Sequence, residues 1–283
     1  MAETPAGAAA TSEFARPLHF QTTTVNPPKK SAHRLLLSVG MLGLAVGATA
    51  AEAETLMRAA LAAEARLDGP SAVRLFLQAD AARPNDAFIL QKLARQYSDL
   101  VEDQPGVAEK KRYAQTALDY SRRAVAVDPT DAVNVLSVAI CYGKLALYSD
   151  TREKVQYSRL VREEAERALA LKPDYAWAHH VLGRWHYEVA SLGTTSKFFV
   201  RLFYGGLPAA SFAEGIRQLQ RATELEPGEL NHWLELGFAY AAADQLALAR
   251  QQWARGLAMP SRGKPDEPAK RRTREALARL DQH

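Results

Sequence analysis

From Glu54 onward the chain alternates Ala-rich, helix-periodic stretches with short turns marked by proline, at ADAARPND (Pro84), RRAVAVDPTD (Pro129), ERALALKPDY (Pro173) and QRATELEPGE (Pro227). Proline cannot continue a helix, and the Asp or Gly-Glu that follows it can start the next one. The pattern therefore predicts a repeated unit of helix, turn, helix and Pro-marked turn, with no strands. Residues 1–53 break this pattern and divide the chain into a lead and a repeat domain at 54–283.

The first thirty residues are rich in Ala, Thr and Pro and show no lasting apolar period, so they read as an extended or disordered lead. Lys29, Lys30 and Arg34 then precede an uncharged run from Leu35 to Ala51 that ends in Ala48-Thr49-Ala50 or Ala51-Glu52-Ala53. A basic flank, an apolar core and an Ala-x-Ala end form an export signal, which predicts a periplasmic or secreted protein. The rival reading is a short membrane anchor over residues 35–51, at the lower edge of spanning length. A cytoplasmic location is the remaining alternative.

Composition narrows the chemistry. The 36 basic residues exceed the 32 acidic ones by only four, and both signs are spread along the chain, so no nucleic-acid-binding arm is expected. A single cysteine, Cys141, excludes an internal disulfide and a Cys-rich metal site.

The repeated unit resembles the tetratricopeptide repeat, with a large residue early in helix A, Leu-Gly, then Tyr, and small residues in helix B. The last copy matches without insertion through Trp233, Leu236-Gly237, Tyr240, Ala249 and Trp253. The copy before it offers His179, Leu182-Gly183, His186, Gly215, Leu219 and Ala222, its halves separated by about twenty extra residues. Two earlier copies, with Leu90, Leu93, Tyr97 and Ala117, and with Val135, Val138, Tyr142 and Ala165, each carry about ten extra residues between their helices. A degenerate first copy contains Ala72, Phe76 and Ala79. The resemblance implies an all-α, tetratricopeptide-like helical-hairpin superhelix of about five repeats, with long intra-repeat insertions. A C-terminal capping helix follows, with Leu277 and Leu280 inward and Lys270, Arg271, Arg272 and Arg274 mostly outward.

The insertions sharpen the match. Leu182, Gly183 and Trp185, followed by a hydrophobic insertion ending in Leu207-Pro208 and Ser211-Phe212, and then Ala222, are similar to the regulator of microtubule dynamics family over roughly residues 54–262. This resemblance implies a helical repeat protein linked to microtubules and, in some relatives, to membrane contact and lipid. A microtubule partner requires a cytosolic eukaryotic setting, which an export signal would exclude.

The stretch DYAWAHHVLGRWHYEVA concentrates histidines without metal-ligand spacing, since His179 and His186 lie about 10 Å apart along a helix and His180 falls on another face. No phosphate loop, dinucleotide fingerprint or nucleophile elbow occurs, so neither catalysis nor a cofactor is expected. Binding is the better reading, because stacked helix-A faces form a concave groove for a protein or peptide. In register with the repeats, its lining includes Arg95, Trp177, His180, Arg184, Tyr187, Asn231 and Phe238. The arginines suit a carboxylate or phosphate, and the aromatics suit an apolar portion. The alternative is that several of these side chains meet the insertions and are buried. The insertion over residues 192–212 adds a second class, since Phe198, Phe199, Arg201 and Phe203 form a hydrophobic-basic segment suited to a lipid or membrane surface. Its alternative is to fold over the groove as core.

Overall fold

A computed structural model describes residues 35–282, with side chains from Ala50 on. The lead with its basic flank, and the side chains of the apolar run up to Thr49, lie outside the described residues. Residues Ala45–His283 make one compact unit. Among the described residues there are twelve α-helices and no strand, and no helix is long and apolar enough to cross a membrane.

The helices pair as the proline punctuation predicts. Helix α1 (Leu35–Ala65) and α2 (Gly69–Ala82) form the first hairpin, α3 (Ala87–Asp99) and α4 (Val107–Val127) the second, and α5 (Ala132–Leu147) and α6 (Thr151–Leu171) the third. The fourth joins α7 (Ala176–Ala190) to α9 (Phe212–Leu225) across an inserted α8 (Thr194–Tyr204); α10 (Leu230–Ala242) and α11 (Leu246–Ala258) make the fifth, and α12 (Asp266–Leu280) follows. Helix α1 runs unbroken through both Ala-x-Ala motifs, and Ala53 within it is fully buried.

Each of the B helices α2, α4, α6 and α9 stops two residues before its proline. The pre-proline residues Arg83, Asp128, Lys172 and Glu226 hold ψ between 71° and 91°, outside the helical region, because the proline ring disfavours helical geometry in its predecessor. Asp86, Asp131 and Glu229 then cap α3, α5 and α10 by accepting first-turn backbone N–H groups.

The extra residues of the second and third copies do not form loops. They lengthen the B helices, so that α4 and α6 each span 21 residues against 14 for α2 and α9. Lys111 of α4 and Glu153 of α6 pair at 2.8 Å across these extensions.

Packing links each hairpin to the next in one stack. The apolar clusters centred on Phe76 and Ile89, on Leu118 and Tyr142, on Leu136 and Leu182, and on Leu234 and Trp253 draw residues from successive hairpins. Full burial of a side chain such as Phe76 contributes about 2 kcal/mol. Glycines set the closest approaches: a Cβ at Gly183 would meet the Gly215 carbonyl at 2.9 Å, and one at Gly215 would meet the Gly183 carbonyl at 2.9 Å. Helices α7 and α9 therefore cross backbone to backbone, although α8 intervenes in sequence.

Candidate functional site

The A helices α3, α5, α7 and α10 stand side by side, each in contact with the next, and repeat positions align into rows along them. The second residues are Phe88, Val133, Trp177 and Asn231; the fifth are Gln91, Leu136, His180 and Leu234; the ninth are Arg95, Ile140, Arg184 and Phe238.

The fifth row forms the seam between A helices. Leu136, His180 and Leu234 are buried, and Gln91 donates to Ser137 Oγ at 3.4 Å across α3 and α5. The second and ninth rows stay more open toward the first half of the stack, where Phe88 is 47% exposed, Val133 39% and Ile140 37%. The Arg95 side chain is 53% exposed, with Glu64 at 3.6 Å and Asp99 at 3.8 Å.

In the second half, neighbouring helices engage the expected groove residues. Asn231 is buried and donates to Asp266 Oδ1 of α12 at 2.8 Å. Tyr187 is buried and donates its hydroxyl to Glu235 of α10. Glu235 also accepts from Arg272 at 3.1 Å and 3.2 Å, with Arg184 at 3.7 Å. Burial alone would raise the Glu235 carboxyl, but Arg184 and Arg272 hold it down at about 2, ionised at neutral pH. The Arg272 guanidinium also stacks over Phe238, 3.7 Å from the ring centre. Two of the cap residues expected outward therefore face inward: Arg272 joins this network, and Lys270 is buried and donates to the Met259 carbonyl. Arg271 and Arg274 remain exposed.

The histidines resolve into packing roles. His179 bridges Gln218 of α9 and the Pro173 carbonyl. His180 meets His232 of α10 with the two Nδ1 atoms 3.0 Å apart, one donating and one accepting, and Trp177 packs on both rings. Burial pushes His180 down to about 4 and His232 to about 2, His180 adding to the latter. Glu226 lies 3.7 Å from His232 Nε2 but is half exposed and does not offset this. Among the described residues, no group of three or more His, Cys, Asp or Glu side chains is placed to hold a metal.

The insertion takes a different course from a groove cover. Helix α8 has no buried residue, and Phe198, Phe199, Leu202 and Phe203 are 51–66% exposed on one face. Phe199 and Phe203 stack with ring centres 6.0 Å apart. Gly205, at φ 76°, ends the helix in the left-handed region that glycine tolerates. Arg159 of α6 then donates to the carbonyls of Tyr204 and Gly206, tying the end of α8 to the stack. No acidic residue occurs between Glu188 and Glu214, so Lys197 and Arg201 give the insertion a net positive charge.

His232, Glu235 and Arg272 carry no sequence signal as site residues. Glu235 and His232 sit between the register positions on α10, and Arg272 lies in a basic run that reads as a solvated cap face. The one trace that leads to them is the register placement of His180, Arg184 and Tyr187, whose partners lie one repeat later.

The chain is similar to several known proteins. Regulator of microtubule dynamics protein 2 of Macaca fascicularis is 26% identical over 190 residues, covering 67% of this chain and 46% of the relative. Protein 3 of Xenopus laevis is 31% identical over 139 residues, covering 49% and 30%, and protein 1 of Mus musculus is 24% identical over 197 residues, covering 69% and 65%. The chain thus spans less than two thirds of the length of these curated relatives. A thermophilic TPR protein of Thermus thermophilus shares the fold with a TM-score of 0.59 at 20% identity, over 80% of this chain and 99% of that one. The family model for regulator of microtubule dynamics proteins 1–3 matches residues 51–281, and the chain belongs to that family.

Proposed function

We propose that this protein is a non-catalytic binding scaffold whose concave face, built by the A helices, receives a protein or peptide partner. The observation that carries this reading is the open pair of rows on α3 and α5, where Phe88, Val133 and Ile140 stay more than a third exposed. Apolar side chains held on rigid elements and left uncovered suit a partner's apolar stripe. Arg95 and Arg184, each more than two fifths exposed, add cationic contacts. Trp177 and Phe238, half-buried, extend the same rows, while His180, Tyr187 and Asn231 support them from below. A microtubule partner follows from the relatives' names only where the chain meets tubulin in a eukaryotic cytosol.

Peptide display selection on the full chain tests the reading. Selected peptides should lose binding to Phe88→Asp and Ile140→Asp while both variants keep wild-type helicity and Tm. Binding that survives both substitutions and disappears on loss of the α8 aromatics would overturn it.

A second reading rests on α8, whose four large apolar side chains face solvent beside two cations and no acid. Contact of Phe198, Phe199, Arg201 and Phe203 with lipid or a membrane surface would cover this patch. Cosedimentation with phosphatidylserine-containing vesicles tests it, with Phe198→Ser/Phe203→Ser expected to abolish pelleting. Native mass spectrometry that finds no lipid, together with no pelleting, would sink it.

A further inference from the structure

Where the two ends of the repeat stack meet, a cavity of about 270 Å³ opens between α1, α3 and the 262–264 loop that precedes α12. Its lining carries four cations, Lys92, Arg95, Arg262 and Lys264, against two carboxylates, Glu64 and Asp99. Both carboxylates are already engaged. Glu64 accepts from Lys92 at 2.8 Å and lies 3.6 Å from Arg95, which also lies 3.8 Å from Asp99. Lys264 reaches across to Asp103, beyond the lining. Among the described residues, no carboxylate pairs with the Arg262 guanidinium, and Arg262 is exposed. With Asp103 counted, four positive side chains face three negative ones, and the excess of one positive charge rests on Arg262.

Position gives that excess a direction. Arg95 belongs both to this cavity and to the ninth-residue row of the concave face, and the apolar positions Phe88, Val133 and Ile140 lie on the adjoining rows. The concave face is therefore apolar along α3 and α5 and basic at one end. A ligand complementary to that sequence of surfaces has an apolar stretch followed by carboxylates, since Arg and Lys held near one another favour charge-assisted bonds to anionic oxygens.

We propose that the cavity between α1, α3 and the 262–264 loop is the acidic-end pocket of the concave site, and that the partner is a peptide segment whose apolar stretch ends in Asp or Glu side chains. This assignment rests on the concave-face reading and names its partner chemistry. Because the pocket draws residues from both ends of the stack, an acidic ligand also clamps the 262–264 loop to α3.

The display selection separates this claim from the one beneath it. Selected peptides should be enriched in Asp or Glu at one end, and Arg262→Gln should weaken those peptides by about tenfold, the loss of one charge-assisted contact. Replacement of the acidic end by Gln should cost the wild type a similar factor and leave Arg262→Gln nearly unchanged. Arg274→Gln, on the exposed side of α12, should change nothing. Peptides that bind through Phe88 and Ile140 without an acidic end, or an acidic preference that survives Arg262→Gln, would overturn the pocket while leaving the concave reading standing. Displacement by inorganic phosphate of peptides that carry no acidic end would assign the cavity to a free anion and equally overturn it. Failure of Phe88→Asp and Ile140→Asp to affect any selected peptide would remove the concave reading itself.

Discussion

Acidification should loosen the C-terminal half of the stack through the His180–His232 pair. Both imidazoles are neutral in the fold, held at about 4 and about 2 by burial, whereas an imidazole in the unfolded chain titrates near 6.5. A depressed histidine pKa contributes stability that is fully present above the unfolded value and is lost as pH falls toward the folded one. At pH 5 the unfolded chain binds nearly one proton at each histidine and the fold binds almost none, a loss of about 2 kcal/mol per site and about 4 kcal/mol for the pair. For a stack of this size that corresponds to a fall in Tm of roughly 10 °C between pH 7 and pH 5. The groups facing the pair are Trp177 on α7, Glu235 and, from α12, Arg272, with Arg184 below and Glu226 beside His232. Glu235 stays ionised down to about pH 2 and adds nothing between pH 6.5 and 5, while His186, also held below its ordinary value by burial, acts equally in wild type and variant, so their difference reports the pair. The assay is thermal unfolding by circular dichroism at both pH values, for wild type and for His180→Phe/His232→Phe, which keeps two rings in the seam. The variant should lose markedly less Tm on acidification. Equal losses in the two proteins would refute the argument.

Gly237→Ala should destabilise by about 1–3 kcal/mol, because the new Cβ falls on the ring of Trp253, which is buried and fixed by its hydrogen bond to Leu234 O at 3.0 Å; Gly228→Ala, with open space around it, should stay within about 0.5 kcal/mol in a urea titration of both variants. Glu235→Gln leaves Arg184 and Arg272 facing a neutral amide and should cost about 2 kcal/mol, discounted for the partial exposure of both guanidiniums; chemical denaturation that shows no loss would count against the network. Phe198→Ser/Phe203→Ser should leave Tm within about 2 °C of wild type, since neither ring is buried, and a large fall would mean that α8 packs against the stack.

Much of the fold was legible because its signals are local. A proline two residues past each B helix, an acidic cap before most A helices and small residues at fixed offsets each act within a few positions, and the structure ends and starts helices there. The extra residues of the second and third copies read as spacers between helices, yet VAEKKRYAQT and TREKVQYSR keep helical spacing and simply extend α4 and α6. The site was legible only as a register. Rows of second and ninth residues follow from the repeat, but whether a position in them is open depends on the neighbouring helices, which is why Asn231 is buried against α12 while Ile140 stays exposed. His180 finds its partner 52 residues away, and Arg184 and Tyr187 meet Glu235 one repeat on. No spacing within a single helix encodes those contacts. The exposure of α8 was equally hidden, since an apolar run reads the same whether it covers a groove or faces solvent.

Hydrogen–deuterium exchange of the full chain, with and without a display-selected peptide, reports whether the open rows of α3 and α5 are the partner surface. Added protection should concentrate on α3, α5 and the 262–264 loop, and vanish in Phe88→Asp. Protection confined to α8, with α3 and α5 unchanged, would contradict it.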